Sequence, residues 1–218
     1  MSRSPPAAMP KAMLWLAGLT AAVCWAGLAL QLRLVIVAAA ELGAGVAAAI
    51  LAYASFFTIQ TVLMAALITS RAAIGMDERW PSARFKAAIA VYVAVAGLVF
   101  AVVLRPLFQH SGLQLWTDVV LHYAVPPLYG LFWFLTVPKQ DLRWRDAAIW
   151  LIYPLCYLVG VLAYGLWSRF FPYPFFDLPK IGPAALVMAV AGLGAVFLAA
   201  GLLVVALGRL ISRGRRAA

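Results

Sequence analysis

The chain has 218 residues, of which 66% are hydrophobic and only 11% charged, with a formal net charge of +10 and a mean hydropathy of +0.98. A water-soluble domain is nearer half apolar and a quarter charged, so this composition excludes an ordinary soluble core and calls for lipid as part of the solvent. The positive charge does not indicate nucleic acid, because the basic residues sit in short clusters between apolar runs, where topology signals and anionic-lipid contacts belong.

Residues 1–10, with Pro5 and Pro6, read as a disordered cytoplasmic tail. A transmembrane helix needs about 20 mostly apolar residues. Six stretches qualify, at 12–32, 47–69, 87–107, 117–137, 147–167 and 183–207. The expected fold is therefore all-α: a six-helix transmembrane domain over 11–208, followed by a basic cytoplasmic tail at 209–218. Gly27-Leu28-Ala29 has the small-x-small form of a signal-peptidase site. The apolar run before it is long for a signal peptide, and more apolar sequence follows, so an uncleaved anchor is expected. Between the first two spans the chain stays apolar, apart from Arg33 and Glu41. That segment is either an interfacial loop or an extension of a neighbouring helix.

The basic residues set the direction of the spans. With the N terminus inside, the inner segments hold Arg3, Lys11, Arg71, Arg79, Arg84, Lys86, Lys139, Arg143, Arg145, Arg209, Arg213, Arg215 and Arg216. The outer segments hold only Arg33, Arg105, Arg169 and Lys180. This positive-inside bias predicts an even number of spans, both termini cytoplasmic, and a place in the inner, or plasma, membrane.

Polar residues inside spans are costly and so narrow the search for chemistry. In the second span these are Thr58, Gln60 and Thr61. Thr58 and Thr61 lie one turn apart on nearly the same face. Threonine hydroxyls in membrane helices often bond their own backbone at i−4 and do nothing else. Gln60 cannot satisfy itself so readily and must find another helix or water. In the fourth span, Asp118 stands at i−4 from His122, a spacing that lets a carboxylate fix the imidazole tautomer. Tyr129 falls at i+7 on the same stripe, and Pro126-Pro127 kinks the helix and frees carbonyls between them. The alternative is an interfacial His–Asp pair that only anchors the helix end. The fifth span carries Tyr153, Pro154, Tyr157 and Tyr164. The segment from Trp167 to Leu178 is crowded with Phe, Tyr and Pro, and Asp177 is its only acid. It reads as an aromatic belt or as a rigid cap over a lipid-facing cavity. Cys24 and Cys156 both fall in apolar runs and read as buried small hydrophobes. No cysteine or histidine cluster has metal-ligand spacing, so no metal is expected.

Several short stretches, in this order, resemble the androgen-induced-protein family of six-span membrane proteins and most closely its prokaryotic relatives. They are Phe56-Phe57-Thr58-Ile59-Gln60-Thr61, His122-Tyr123-Ala124-Val125-Pro126, Trp150-Leu151-Ile152-Tyr153-Pro154, and Tyr173-Pro174-Phe175-Phe176-Asp177 followed by Ile181-Gly182-Pro183. The resemblance spans nearly the whole chain. It implies an intramembrane hydrolase of fatty acid esters of hydroxy fatty acids, with Thr58 as nucleophile and His122 as general base. It implies no cofactor, and partners limited to membrane lipids and a lipophilic ester substrate. Where some relatives carry an acid, this chain has Phe132. Asp118 or Asp177 would have to orient the histidine instead, and Thr61, Tyr129 or Tyr153 would supply the donor for the oxyanion. The rival readings are a non-enzymatic lipid-binding or transport protein using the same cavity, and a bis-His haem protein. The second is poor, because His110 is expected in an outer loop.

Overall fold

The computed structural model describes residues 9–76 and 81–217. Nearly all of the predicted tail at 1–10 therefore lies outside the described residues. All regular elements among the described residues are helical.

Helix α1 (Lys11–Glu41) runs on well past Leu32, so the apolar segment after the first span is an extension of that helix. The second predicted span is broken. Helices α2 (Val46–Ala54) and α3 (Phe57–Ala73) meet at a bend of 79°. Helix α4 (Ala83–Val99) opens on Ser82, whose hydroxyl accepts from the Phe85 N–H at 3.3 Å. It ends in a π-helical turn, Phe100–Leu104. Helix α5 (Gly112–Val119) passes through a second π turn, Val120–Ala124, into α6 (Val125–Thr136). This span starts several residues before the predicted 117, which sets His122 deeper in it. Helices α7 (Trp144–Ile149) and α8 (Ile152–Ser168) form one span with a break at Trp150-Leu151. Pro154 has no N–H to offer the Trp150 carbonyl, and the Tyr92 hydroxyl donates to that oxygen instead, at 2.7 Å. Helix α9 (Leu178–Ala217) contains Gly182 at φ 77°, followed by Pro183. The long apolar run thus begins at Pro183, the predicted start. The helix continues without interruption into the basic segment after 208.

Five segments are long and apolar enough to cross a membrane: Lys11–Glu41, Ala83–Leu104, Gly112–Thr136, Trp144–Ser168 and Leu178–Ser212. The bent pair makes a sixth if it counts as one span. Inside the bundle lies α4, packed against α3, α6 and α9. In its apolar window 61% of residues are buried, against 17–28% in the other four. Small side chains such as Ala87, Ala88 and Ala90 bring its neighbours close. The surrounding helices turn Trp15, Val159, Met188 and Leu203 outward. An apolar core inside an equally apolar exterior is the build of a helical membrane protein. Cys24 is buried as expected, whereas Cys156 is exposed on the outer face of α8.

At one end of the bundle, charges tie the loops together. Asp146 accepts from the Arg143 N–H at 2.8 Å and lies 3.5 Å from Arg84. Lys139 donates to the carbonyls of Trp133, Phe134 and Val137, which close α6. The opposite end carries the segments 105–111 and 169–177. Phe171 of the second segment tucks beneath α8, where a Cβ at Gly165 would come within 2.2 Å of its ring.

Candidate active site at the broken span

Thr58 owes its setting to the bend. Phe56 is extended, and α3 begins at Phe57, so Thr58 lies in the first turn of a helix that starts inside the bundle. The first N–H groups of such a helix have no intrahelical acceptors. Side chains fill the open carbonyls before the bend. Gln60 Nε2 donates to the Ala54 oxygen at 2.8 Å, and the Tyr157 hydroxyl donates to the Ser55 oxygen at 2.7 Å. Gln60 also accepts from the Tyr153 hydroxyl at 2.7 Å, and so finds the partners on other helices that its amide requires. At membrane depth a break persists only where protein groups satisfy the backbone in this way.

The bend also deprives Thr58 of its own carbonyl. Thr20, Thr61, Thr69, Thr117 and Thr136 each donate to the carbonyl four residues back, at 2.7–3.0 Å. For Thr58 that carbonyl belongs to Ala54, which stands across the bend and is held by Gln60. Thr58 Oγ1 lies instead 3.3 Å from His122 Nε2.

The imidazole is clamped from three sides. Its Nδ1 lies 3.1 Å from the Asp118 carbonyl oxygen. A carbonyl only accepts, so Nδ1 carries the hydrogen, and in its neutral form the ring presents the Nε2 lone pair to the Thr58 hydroxyl. Phe100 stacks on the ring at 3.9 Å and 11°. Behind it, Pro126 offers no N–H to the His122 carbonyl. Gly97 approaches that oxygen so closely that a Cβ there would sit 2.6 Å away. Phe100 and His122 both lie in π turns. Such turns shift the register of a helix and recur at functional sites.

The remaining predicted site residues are placed elsewhere, for physical reasons. The Asp118 carboxylate does not reach His122. Helical side chains tilt toward the N terminus, and this one accepts from Gln114 Nε2 at 3.0 Å and pairs with His110 Nδ1 at 2.6 Å. Its backbone carbonyl, not its acid, orients the histidine. Tyr129 leaves the His122 stripe because the wider π turn rotates the following helix. Its hydroxyl donates to the Lys86 carbonyl at 3.2 Å. Thr61 is spent on its own helix, and Tyr153 on Gln60. Asp177 lies 3.6 Å from Lys180 at the start of α9 and lines neither cavity described below.

Two cavities meet at Thr58. One, of about 120 Å³, is walled by apolar side chains of α4, α8 and α9, including Val95, Val99, Leu155, Leu158 and Phe197. The other, of about 370 Å³, is lined by His122, His110, Asp118, Gln114 and Gln31 together with aromatic residues. Thr58, Leu104 and Tyr173 border both. Tyr173, from the Pro-rich segment, places its hydroxyl 3.5 Å from the Thr58 nitrogen. Burial holds this phenol above its ordinary pKa, so it remains a hydroxyl able to donate. Phe170, Phe171 and Pro172 line the polar cavity, Phe175 and Phe176 the apolar one, and Tyr173 both. Tyr173, Tyr157, His110 and Gly97 are site residues that the sequence reading missed. Tyr173 and Tyr157 were hidden among many aromatics. His110 is expected in an outer loop, apart from the span that carries Asp118 and His122.

The fold and the site define an all-helical protein with five or six helices apolar and long enough to cross a membrane, and a Thr–His pair where two cavities meet. Compared with protein-family models, curated proteins and solved structures, the chain has no match.

Proposed function

We propose that this protein is an intramembrane hydrolase of lipophilic fatty acyl esters, with Thr58 as nucleophile and His122 as general base. The observation that carries the reading is the 3.3 Å approach of Thr58 Oγ1 to His122 Nε2, made by the one threonine whose own-helix carbonyl is unavailable. The resemblance to the androgen-induced-protein family points the same way.

In this mechanism Thr58 Oγ bonds to the ester carbonyl carbon while its proton passes to His122 Nε2. The oxyanion that forms faces the Thr58 N–H and the Tyr173 hydroxyl, at the positive end of α3. When the intermediate collapses, the bond to the alcohol oxygen breaks and that oxygen takes the proton from His122. Water, deprotonated by the same nitrogen, then releases the acid and restores Thr58.

Purified protein in detergent or nanodiscs should hydrolyse a long-chain acyl ester and be labelled at Thr58 by a fluorophosphonate probe. Labelling that survives in Thr58→Ala would move the nucleophile elsewhere. Folded wild type that neither labels nor turns over any ester would leave the rival, a lipid-binding or transport protein using the same cavities.

The proposal includes topology: six spans, with both termini on the cytoplasmic face of the inner membrane. The basic residues support it, since those assigned inside far outnumber Arg33, Arg105, Arg169 and Lys180. Cytoplasmic reporters fused after Arg79, after Arg143 and at the C terminus should be active, and one near Pro174 silent. An external C terminus would overturn the count.

A further inference from the structure

The two cavities at Thr58 differ in chemistry, and the proton path assigns them different halves of a substrate. We infer that the cavity lined by Gln31, Gln114, Asp118 and His110 is a subsite for an uncharged, hydroxyl-bearing alcohol, so that the substrate class is an acyl ester of a small polyol such as glycerol. The inference rests on the hydrolase reading above and goes beyond it by naming the alcohol, which differs from the carboxylate-bearing hydroxy fatty acid that the family resemblance implies.

The orientation follows from His122. This ring must return a proton to the leaving alcohol oxygen, so the alcohol lies on the histidine side of Thr58. His122 lines the polar cavity and not the apolar one. The acyl chain therefore runs the other way, between Val95, Val99, Leu155, Leu158 and Phe197, where no charged group lines the wall.

The nature of the alcohol follows from what faces it. Gln114 Nε2 donates to Gln31 Oε1 at 3.2 Å and to Asp118 Oδ1 at 3.0 Å, and Asp118 Oδ2 meets His110 Nδ1 at 2.6 Å. This chain of bonds joins α1, α5 and the 105–111 segment and presets the side chains. The groups it leaves over are the Gln31 amide nitrogen, the Gln114 oxygen, His110 Nε2 and the outer lone pairs of Asp118. They mix donors with acceptors, as hydroxyl groups require. Among the described lining residues there is one carboxylate and no lysine or arginine. A phosphate or carboxylate on the alcohol would have to shed water beside the Asp118 carboxylate, with no lysine or arginine in the lining to offset it. A plain alkyl alcohol would leave these groups unpaired.

The test is the relative kcat/KM of purified protein on three esters of one fatty acid: a monoacylglycerol, an alkyl ester, and an ester whose alcohol carries a carboxylate. The glycerol ester should be preferred over each of the others by about tenfold or more, the scale set by hydrogen bonds that a competitor cannot make. Gln114→Leu and, separately, Gln31→Leu should bring the glycerol-to-alkyl ratio down toward one, chiefly through a higher KM for the glycerol ester. Two variants on different helices guard against a misfolded one. Equal rates on all three esters, or preference for the anionic one, would overturn the subsite and leave the hydrolase reading standing. No turnover of any ester by folded wild type would overturn both.

Discussion

Thr58 and Thr61 lie one turn apart on α3, and both are buried. They have the same side chain on the same helix, but their hydroxyls do different things. Thr61 donates to the Phe57 carbonyl at 3.0 Å, as a threonine inside a continuous helix does. Thr58 sits just after a 79° bend, where that option is gone, and its hydroxyl meets His122. What separates a structural threonine from a candidate nucleophile here is the backbone on its N-terminal side. A break costs a helix its hydrogen bonds, and Gln60, Tyr157 and Tyr173 are the groups that offset this.

The largest effect expected is on the pair itself. Thr58→Ala and His122→Ala should each lower ester turnover by at least about 10³-fold and abolish probe labelling, as removal of a nucleophile or its base does elsewhere. The comparison fails if Thr58→Ala keeps wild-type turnover while Thr61→Ala loses it. Next in size is Tyr173→Phe, which removes a donor beside the Thr58 N–H. A loss on the order of 10²-fold in kcat, with KM little changed, is the scale for one oxyanion donor. A change confined to KM would make Tyr173 a wall of the cavity and nothing more.

Gly97→Ala tests how closely the histidine is held. The new methyl would press on the His122 carbonyl, and a shift of under 1 Å should cost about tenfold in kcat. A thermal-shift assay should register about 1–3 kcal/mol of overpacking. Full activity would mean that the clamp on His122 is loose. Gln60→Leu should act on stability first. It strands the Ala54 carbonyl and the Tyr153 hydroxyl, a cost of about 1–3 kcal/mol. Turnover should fall only as far as the bend relaxes. Smallest of all is Thr61→Ala, which removes a bond the helix does not need. Its activity should stay within about threefold of wild type and its stability within about 1 kcal/mol.

Much of the bundle was legible in the chain itself, and for a simple reason. Span length and apolar content are local properties, set by the thickness of a bilayer and read within a window of about 20 residues. The predicted starts and ends of the third, fourth and fifth spans accordingly fall close to the helices, and Gly182-Pro183 marks where the last one begins, although that helix runs on past the predicted end. The need of Gln60 for outside partners was legible too, because an amide cannot be satisfied by its own helix.

Tertiary structure alone decided the rest. Nothing in Ala54-Ser55-Phe56-Phe57 breaks a helix by local rules, since it holds neither glycine nor proline. The bend exists because Tyr157 and Tyr173, roughly a hundred residues away along the chain, meet its open backbone groups. The two π turns likewise rotate side chains off the stripes that a 3.6-residue period assigns. This is why Tyr129 points at α4, whereas the Asp118 carboxylate, tilted toward the N terminus of its helix, meets His110. Hydrophobicity is summed along a chain. The partner of a hydroxyl or a carbonyl depends on which helices lie side by side, and at Thr58 that packing determined which group its hydroxyl would meet.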